Sequence, residues 1–275
     1  MDILFLKPPS EFESFVKEFW IWREVNANEL PWIIPSYECE MVFHFGEPPI
    51  VETESGERFR LPKSHLVGPQ TRRWRVLSES PLHLVSIRFY VAGLYTLFSK
   101  QGSVLKNQFP EMPTNERLVS ILQNSNGEKT SVVEEKIVEA LTEYLRSYPG
   151  KSTDIPAYLR FALLELTNPK TSINPLAKKL GITRKQLERK FQEVVGLNPS
   201  EYRSVHRVLS LVRNPEHYQT TNPNLRLTDL AHNFEYTDQS HFSNDFKRNS
   251  GSIPKDWFAE YEKMSHFYKH GPGEE

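Results

Sequence analysis

Between Ile173 and Phe258 the chain spells one device twice, and that repeat constrains its fold more than any other feature. The first copy reads Leu176-Ala177-Lys178-Lys179-Leu180-Gly181-Ile182-Thr183-Arg184-Lys185-Gln186-Leu187-Glu188-Arg189-Lys190-Phe191, followed by Gly196-Leu197-Asn198-Pro199 and Tyr202. The second reads Leu230-Ala231-His232-Asn233-Phe234-Glu235-Tyr236-Thr237-Asp238-Gln239-Ser240-His241-Phe242, then Phe246-Lys247 and Gly251-Ser252-Ile253-Pro254. Each copy has a Leu-Ala pair on a short helix, a tight turn, a polar helix with Leu or Phe every fourth residue, and a closing Gly-x-x-Pro. This is the outline of two helix-turn-helix units in series, an arrangement suited to two DNA major grooves.

Charge distribution distinguishes the copies. The whole chain of 275 residues has a formal net charge of −1, which by itself predicts no polyanion partner. From Lys170 to Arg213, however, there are ten Lys/Arg against three Asp/Glu, and from Asn214 to Glu260 four against seven. The first unit should therefore meet phosphate more strongly than the second. The single cysteine, Cys39, excludes an intramolecular disulfide and a four-thiolate zinc site. The N-terminus lacks the basic start and apolar run of a signal peptide, and no apolar stretch approaches the roughly 20 residues of a spanning helix. These features predict a cytoplasmic protein with no membrane partner.

The length favours two domains. Residues 11–22 are apolar at a spacing that fits helix or strand. From Leu30 to about Tyr90 the pattern is β: Tyr37, Cys39, Met41, Phe43 and Phe45 alternate with Glu38, Glu40, Val42 and His44, and turn residues punctuate the runs. A small barrel or sandwich is expected. From about Gly93 the period becomes helical, with helices expected around 94–98, 117–122, 132–141 and 157–164. The expected architecture is α+β. A β-rich sensor or dimerisation domain, barrel-like with helices at its end, spans 1–150. An all-helical domain spans 151–275, with units at about 173–200 and 227–258.

In the first unit Thr183 is a sound N-cap and Gln186 completes a capping box. Gly181 sits where a positive φ is cheap. Leu187, Phe191 and Val194 or Val195 face inward, so Lys185, Glu188, Arg189 and Gln192 share the other face. Those side-chain types read base edges. The stripe Tyr202, Val205, Leu209 and Val212 marks a helix long enough to bridge the two units. In the second unit Thr237 or Asp238 caps the helix and Phe242 and Phe246 anchor it. Ser240, Asn244, Lys247 and Arg248 face outward, with Gln239 and His241 nearby. A merely solvated charged face would explain one such hairpin as well as a DNA reader does. It does not explain two, each closed by Gly-x-x-Pro.

The segment from about Ser172 to Phe258 resembles the tandem DNA-binding domain of AraC/XylS-type transcription regulators. Asp238-Gln239-Ser240-His241-Phe242, Phe246-Lys247 and Gly251-Ser252-Ile253-Pro254 carry the resemblance most specifically. The β-rich segment followed by helices is similar in order to the family's sensor halves. The resemblance implies promoter DNA as partner, frequent homodimers and contact with the transcription machinery. It places base reading at Lys185, Glu188, Arg189, Gln239, Ser240 and Asn244, and phosphate contact at Thr183, Arg184, Lys247 and Arg248. The chain departs from the family pattern in two places. The stretch His217–Asn224 looks like extra loop. Glu235 stands where the second turn normally carries glycine. If φ is positive there, Glu235→Gly should gain about 1 kcal/mol and strengthen DNA binding by removing a carboxylate from phosphate. A lower melting temperature with unchanged affinity would show a turn adapted to glutamate.

For the N-terminal half, the mouth of a barrel is a usual place for a small ligand. Tyr37, Met41, Phe43, Trp74 and Arg88 are the candidate effector contacts, Arg88 as partner of a carboxylate. Each individually is as readily a core or rim residue. His44, His65 and His83 lie apart without an accompanying carboxylate pattern, so no metal is expected. No nucleophile elbow, P-loop or dinucleotide fingerprint is present, and Cys39 sits in an apolar strand, so neither catalysis nor a cofactor is expected. Three readings follow. They are an effector-responsive regulator, a regulator whose N-terminal half dimerises or meets a protein partner, and an enzymatic barrel fused to DNA-binding helices. A polar-lined cavity favours the first, a solid core with an exposed apolar patch the second, and a bound metal the third.

Overall fold

The stretch Val16–Val25 is a strand buried on both faces, which is why its apolar pattern matches no single period. The structure, a computed structural model, describes residues 2–99, 101–124, 130–148, 154–213, 227–234 and 236–257. Eight strands open the chain: β1 (Asp2–Leu6), β2 (Val16–Val25), β3 (Glu40–His44), β4 (Ile50–Thr53), β5 (Arg58–Arg60), β6 (Ser64–Val67), β7 (Trp74–Leu77) and β8 (Leu82–Phe89). They form a five-stranded sheet of order β1-β2-β8-β3-β6 and a three-stranded sheet of order β5-β4-β7. The β-rich half followed by helices is as the sequence predicts. Its strands, however, form two open sheets and no closed barrel, because the short β4, β5 and β7 ladder only with one another.

Each face of the large sheet has its own core. On one face Phe19, Ile21, Met41, Phe43, Val85 and Ile87 pack against Leu118 of α2 (Glu116–Asn124) and Val133, Ile137 and Leu141 of α3 (Thr130–Ser147). On the other face Trp20, Trp22, Val42 and Leu84 meet Val51, Trp74 and Val76 of the small sheet. The two-faced burial comes from Cβ alternation along each strand. Helix α1 (Gly93–Phe98) follows the last strand.

The remaining helices are α4 (Ala157–Glu165), α5 (Ile173–Lys179), α6 (Arg184–Val194), α7 (Pro199–Arg213), α8 (Leu227–Asn233) and α9 (Gln239–Ser250). Leu187, Phe191, Tyr202, Val205, Leu209, Phe242 and Phe246 share one core with Ile34, Ala92 and Tyr95 of the β-rich half. The hydrophobic core therefore crosses from one half to the other. Glu235 and the segment 214–226 lie outside the described residues, as does the link at 149–153. No helix among the described residues is long and apolar enough to cross a membrane.

Candidate nucleic-acid interface and effector pocket

The first unit is α5, a turn at Gly181 with φ 68°, and α6. Thr183 caps α6: its hydroxyl accepts from the Gln186 amide at 3.2 Å, and its own amide donates to Gln186 Oε1 at 2.8 Å. Two orphan donors of the helix start are thus satisfied. Lys185, Arg189 and Gln192 are exposed on one face. Arg184 is exposed too, but its Nε donates to the half-buried Glu188 carboxylate at 2.7 Å. That pair ties down part of the charge of each member.

In the second unit Asp238, and not Thr237, caps α9, accepting from the His241 amide at 2.8 Å. Gln239, Ser240, Asn244, Lys247 and Arg248 are all exposed. Beneath them Asp245 is buried, accepting the Tyr236 hydroxyl at 2.7 Å, while burial and this carboxylate push the tyrosine pKa upward. Arg248 also reaches Asp245, at 3.4 Å, which ties down part of its charge.

The β-rich half grips the first unit from behind. Gly196, with φ 84°, lies against Gly102 so closely that a Cβ there would sit 2.6 Å from the Gly102 carbonyl oxygen. The Tyr95 hydroxyl donates to Glu193 at 2.9 Å, and Lys106 pairs with Glu201 at 2.5 Å. Tyr37 meets His206 of α7 at 3.1 Å and packs on Tyr202. At the end of α7, Arg213 donates two hydrogen bonds to Glu38, at 3.0 and 2.7 Å. Lys17 binds the same carboxylate at 3.0 Å. Burial opposes the Glu38 charge, but Arg213, Lys17 and Arg88 more than offset it and hold the carboxyl well below the usual range. The second unit is touched by Arg73, whose guanidinium lies against Gly251 at the end of α9.

Between the two sheets lies a cavity of about 110 Å³. Its floor is three cross-strand rows of the large sheet: Trp22, Leu84 and His44; then Trp20, Ser86, Val42 and His65; then Arg88, Glu40 and Val67. Trp74 and Val76 of the small sheet close it from above, and Leu209 and Arg213 of α7 complete the wall. Arg88 is saturated by its own surroundings: Glu40 at 2.6 Å, Glu18 at 3.5 Å and the Trp20 ring beneath its guanidinium at 3.4 Å. Of the expected effector contacts, Trp74 and Arg88 line this cavity. Met41 and Phe43 lie in the core on the opposite face of the sheet, under α2 and α3. Tyr37 is taken up by α7. His44 and His65 stack 5.3 Å apart, whereas His83 lies beside Glu24. Among the described residues no group of three His, Cys, Asp or Glu is placed to hold a metal.

Comparison with known families bears on both halves. Residues 176–260 match the family model of a helix-turn-helix domain (HTH_18), which spans the tandem units described above. The C-terminal helical half therefore carries the AraC-type helix-turn-helix DNA-binding domain of a transcription regulator. Residues 5–111 of this regulator match a family described only as a domain of unknown function, DUF6597. No curated protein matches it. Among solved structures the regulator is similar to ToxT from Vibrio cholerae, at 11% identity over 94% of this chain and 97% of that one, with a TM-score of 0.46. ToxT with a bound unsaturated fatty acid matches at 12% identity over 100% and 96% of the two chains, with a TM-score of 0.45. CdpR from Pseudomonas aeruginosa matches at 18% identity over 64% and 46%, with a TM-score of 0.29. Likeness at this level says nothing of what this regulator binds.

Sequence reasoning missed the parts of the regulator that join its halves: Lys17, Glu38, His206 and Arg213, together with Ser86 and His44 in the cavity. One signal was available. Lys17 and Glu18 interrupt the apolar run Phe15–Trp22, and a charge in a doubly buried strand demands a partner. Which partner it finds is not a local property.

Proposed function

We propose that this regulator reads promoter DNA with α6 and α9, and that a small effector in the cavity between the sheets sets its affinity for DNA. The observation that carries this reading is the composition of the cavity wall: both sheets contribute, and so do Leu209 and Arg213 of α7, the helix that follows the first DNA-reading unit. An effector there touches both halves at once. A largely apolar cavity with a few polar groups, walled by both halves, supports effector control over the alternative of an N-terminal half that only meets a protein partner. Residues 1–150 serve sensing or dimerisation and 151–275 DNA binding, in the cytoplasm, with the transcription machinery as further partner.

Lys185, Glu188, Arg189, Gln239, Ser240 and Asn244 are assigned to base edges. Thr183, Arg184, Lys247 and Arg248 are assigned to phosphate. Two experiments test the reading. Mapping of bound DNA across the genome should return a defined set of promoters containing one shared motif, and a random distribution would refute sequence-specific regulation. Arg213→Met, which leaves α6 and α9 untouched, should shift the Kd for that motif by about tenfold, since 1.4 kcal/mol of coupling is modest for linked sites. An unchanged Kd would uncouple the cavity from DNA.

A further inference from the structure

The cavity has a chemical signature beyond its size. Its charged residues are already matched. Arg88 is held by Glu40 and Glu18, and Glu38 is held by Lys17 and Arg213. Three uncharged polar groups in its wall are not matched: Trp74 Nε1, His44 Nε2 and Ser86 Oγ are buried and have no hydrogen-bond partner. Their residues are 8 %, 3 % and 1 % exposed. A buried polar atom without a partner costs about 1–3 kcal/mol, and three around one cavity are more than native structures leave to chance. Burial, with His65 beside it, lowers the His44 pKa to about 3, so the ring is neutral at physiological pH. Most of the remaining wall is indole and aliphatic, with Trp20, Trp22, Leu84 and Val76, and its other uncharged polar side chains, Ser36, His65 and Gln70, have partners. A volume of about 110 Å³ approaches the roughly 150 Å³ of an apolar cavity that takes up benzene.

We infer that the effector is a small, flat, uncharged aromatic molecule carrying a hydrogen-bond acceptor for the Trp74 indole N–H and a polar group for Ser86 and His44. This rests on the effector reading above and names its ligand class. Ser86 is the residue that makes room: it stands between Trp20 and Val42 in the middle row of the floor, where a larger side chain would close the gap. A ligand with a full charge would enter a site whose ions are already paired, and would be desolvated without a counter-ion.

Three probes of one shape separate the cases: benzamide (neutral), benzoate (anionic) and benzamidinium (cationic). Titrated into the full-length protein with intrinsic tryptophan fluorescence and thermal melting as readouts, benzamide should saturate with a Kd of about 1 mM or below, a fair affinity for a fragment. Benzoate and benzamidinium should bind at least about tenfold more weakly. Trp74→Phe keeps an aromatic ring, though a smaller one, and loses the N–H, and Ser86→Ala loses only the hydroxyl. Each folded variant should bind benzamide about tenfold more weakly, the loss of one buried hydrogen bond. Equal or tighter binding of a charged probe overturns the neutral class and leaves the effector reading standing. Benzamide binding unchanged in both variants puts the ligand elsewhere and overturns the assignment. No saturable binding by any of the three overturns the ligand class and the cavity's role as effector site together.

Discussion

The first helix-turn-helix unit is braced from behind by the β-rich half, and the second leans on a polar pair inside itself. Glu193 and Gly196 of the first unit and Glu201 at the start of α7 all contact the 95–106 stretch, and α7 leads directly to the Glu38 cluster. The second unit receives Arg73 at Gly251, and its helix is seated by the Tyr236–Asp245 bond. Charge follows the same division, with ten basic residues against three acidic around the first unit and four against seven around the second. On the proposed function, the unit that is both more basic and more firmly attached to the β-rich half is the better place to receive a signal.

The largest test breaks the brace. Glu38→Ala leaves Lys17 and Arg213 buried without their carboxylate, and should cost about 3–5 kcal/mol in denaturant unfolding. A cost under about 1 kcal/mol would mean the cluster relaxes without it and the brace is not structural. The same group gives a pH signature. Because its folded-state pKa is depressed, its stabilisation is complete above the unfolded carboxylate value of about 4.3 and is lost as pH falls below it. Between pH 7 and pH 3 the wild type should lose stability more steeply than Glu38→Gln, and parallel curves would remove Glu38 as the cause.

Next in size is base reading. Lys185 and Arg189 are exposed one turn apart on α6, Arg189 near enough to Glu193 to favour its charged form. Arg189→Ala should cost about 1–3 kcal/mol of specific binding and relax preference at one base pair. Asn244→Ala, its counterpart on α9, should cost about 1 kcal/mol or less if the first unit dominates. Reversed values would invert the comparison. Tyr236→Phe should cost about 1–2 kcal/mol of stability by stripping the buried Asp245 of a donor. It should leave the affinity contributed by α6 intact, and a stability loss that spreads to DNA binding by the first unit would show that the units are not separable.

The smallest effect is electrostatic. Lys185 carries its cation into the groove from the more basic unit, so Lys185→Ala should reduce the slope of log K against log salt by about one, and Lys247→Ala, on the unit with more acidic than basic residues, by less. Arg184→Ala should also flatten it, since breaking its pair with Glu188 on binding frees a cation for phosphate. Equal slopes for the three variants would end the argument from charge.

What the chain decided by itself is what neighbours in sequence can decide. Thr183 and Gln186 close a capping box three residues apart, Gly181 supplies the turn, and Leu187 and Phe191 recur at helical spacing. The tandem units and the α+β order were therefore legible from local rules of period, cap and turn. The sheet faces were only half legible. Alternation shows that Met41 and Phe43 share a side and that Val42 and His44 share the other. It does not say which side a second sheet will cover and which two helices will cover, and here both are buried. Of the cavity only Trp74 and Arg88 were legible, and of its ties nothing. Glu38 and Arg213 are 175 residues apart, and Tyr37 and His206 are 169 apart. No spacing rule reaches across such a distance. Ser86 opens a cavity only because Trp20 and Val42 flank it on two separate strands, with Trp74 above on a third. Local hydrogen bonding and side-chain period write the helices and strands; burial, which pairs a charge with whatever partner the completed core brings near it, placed the site.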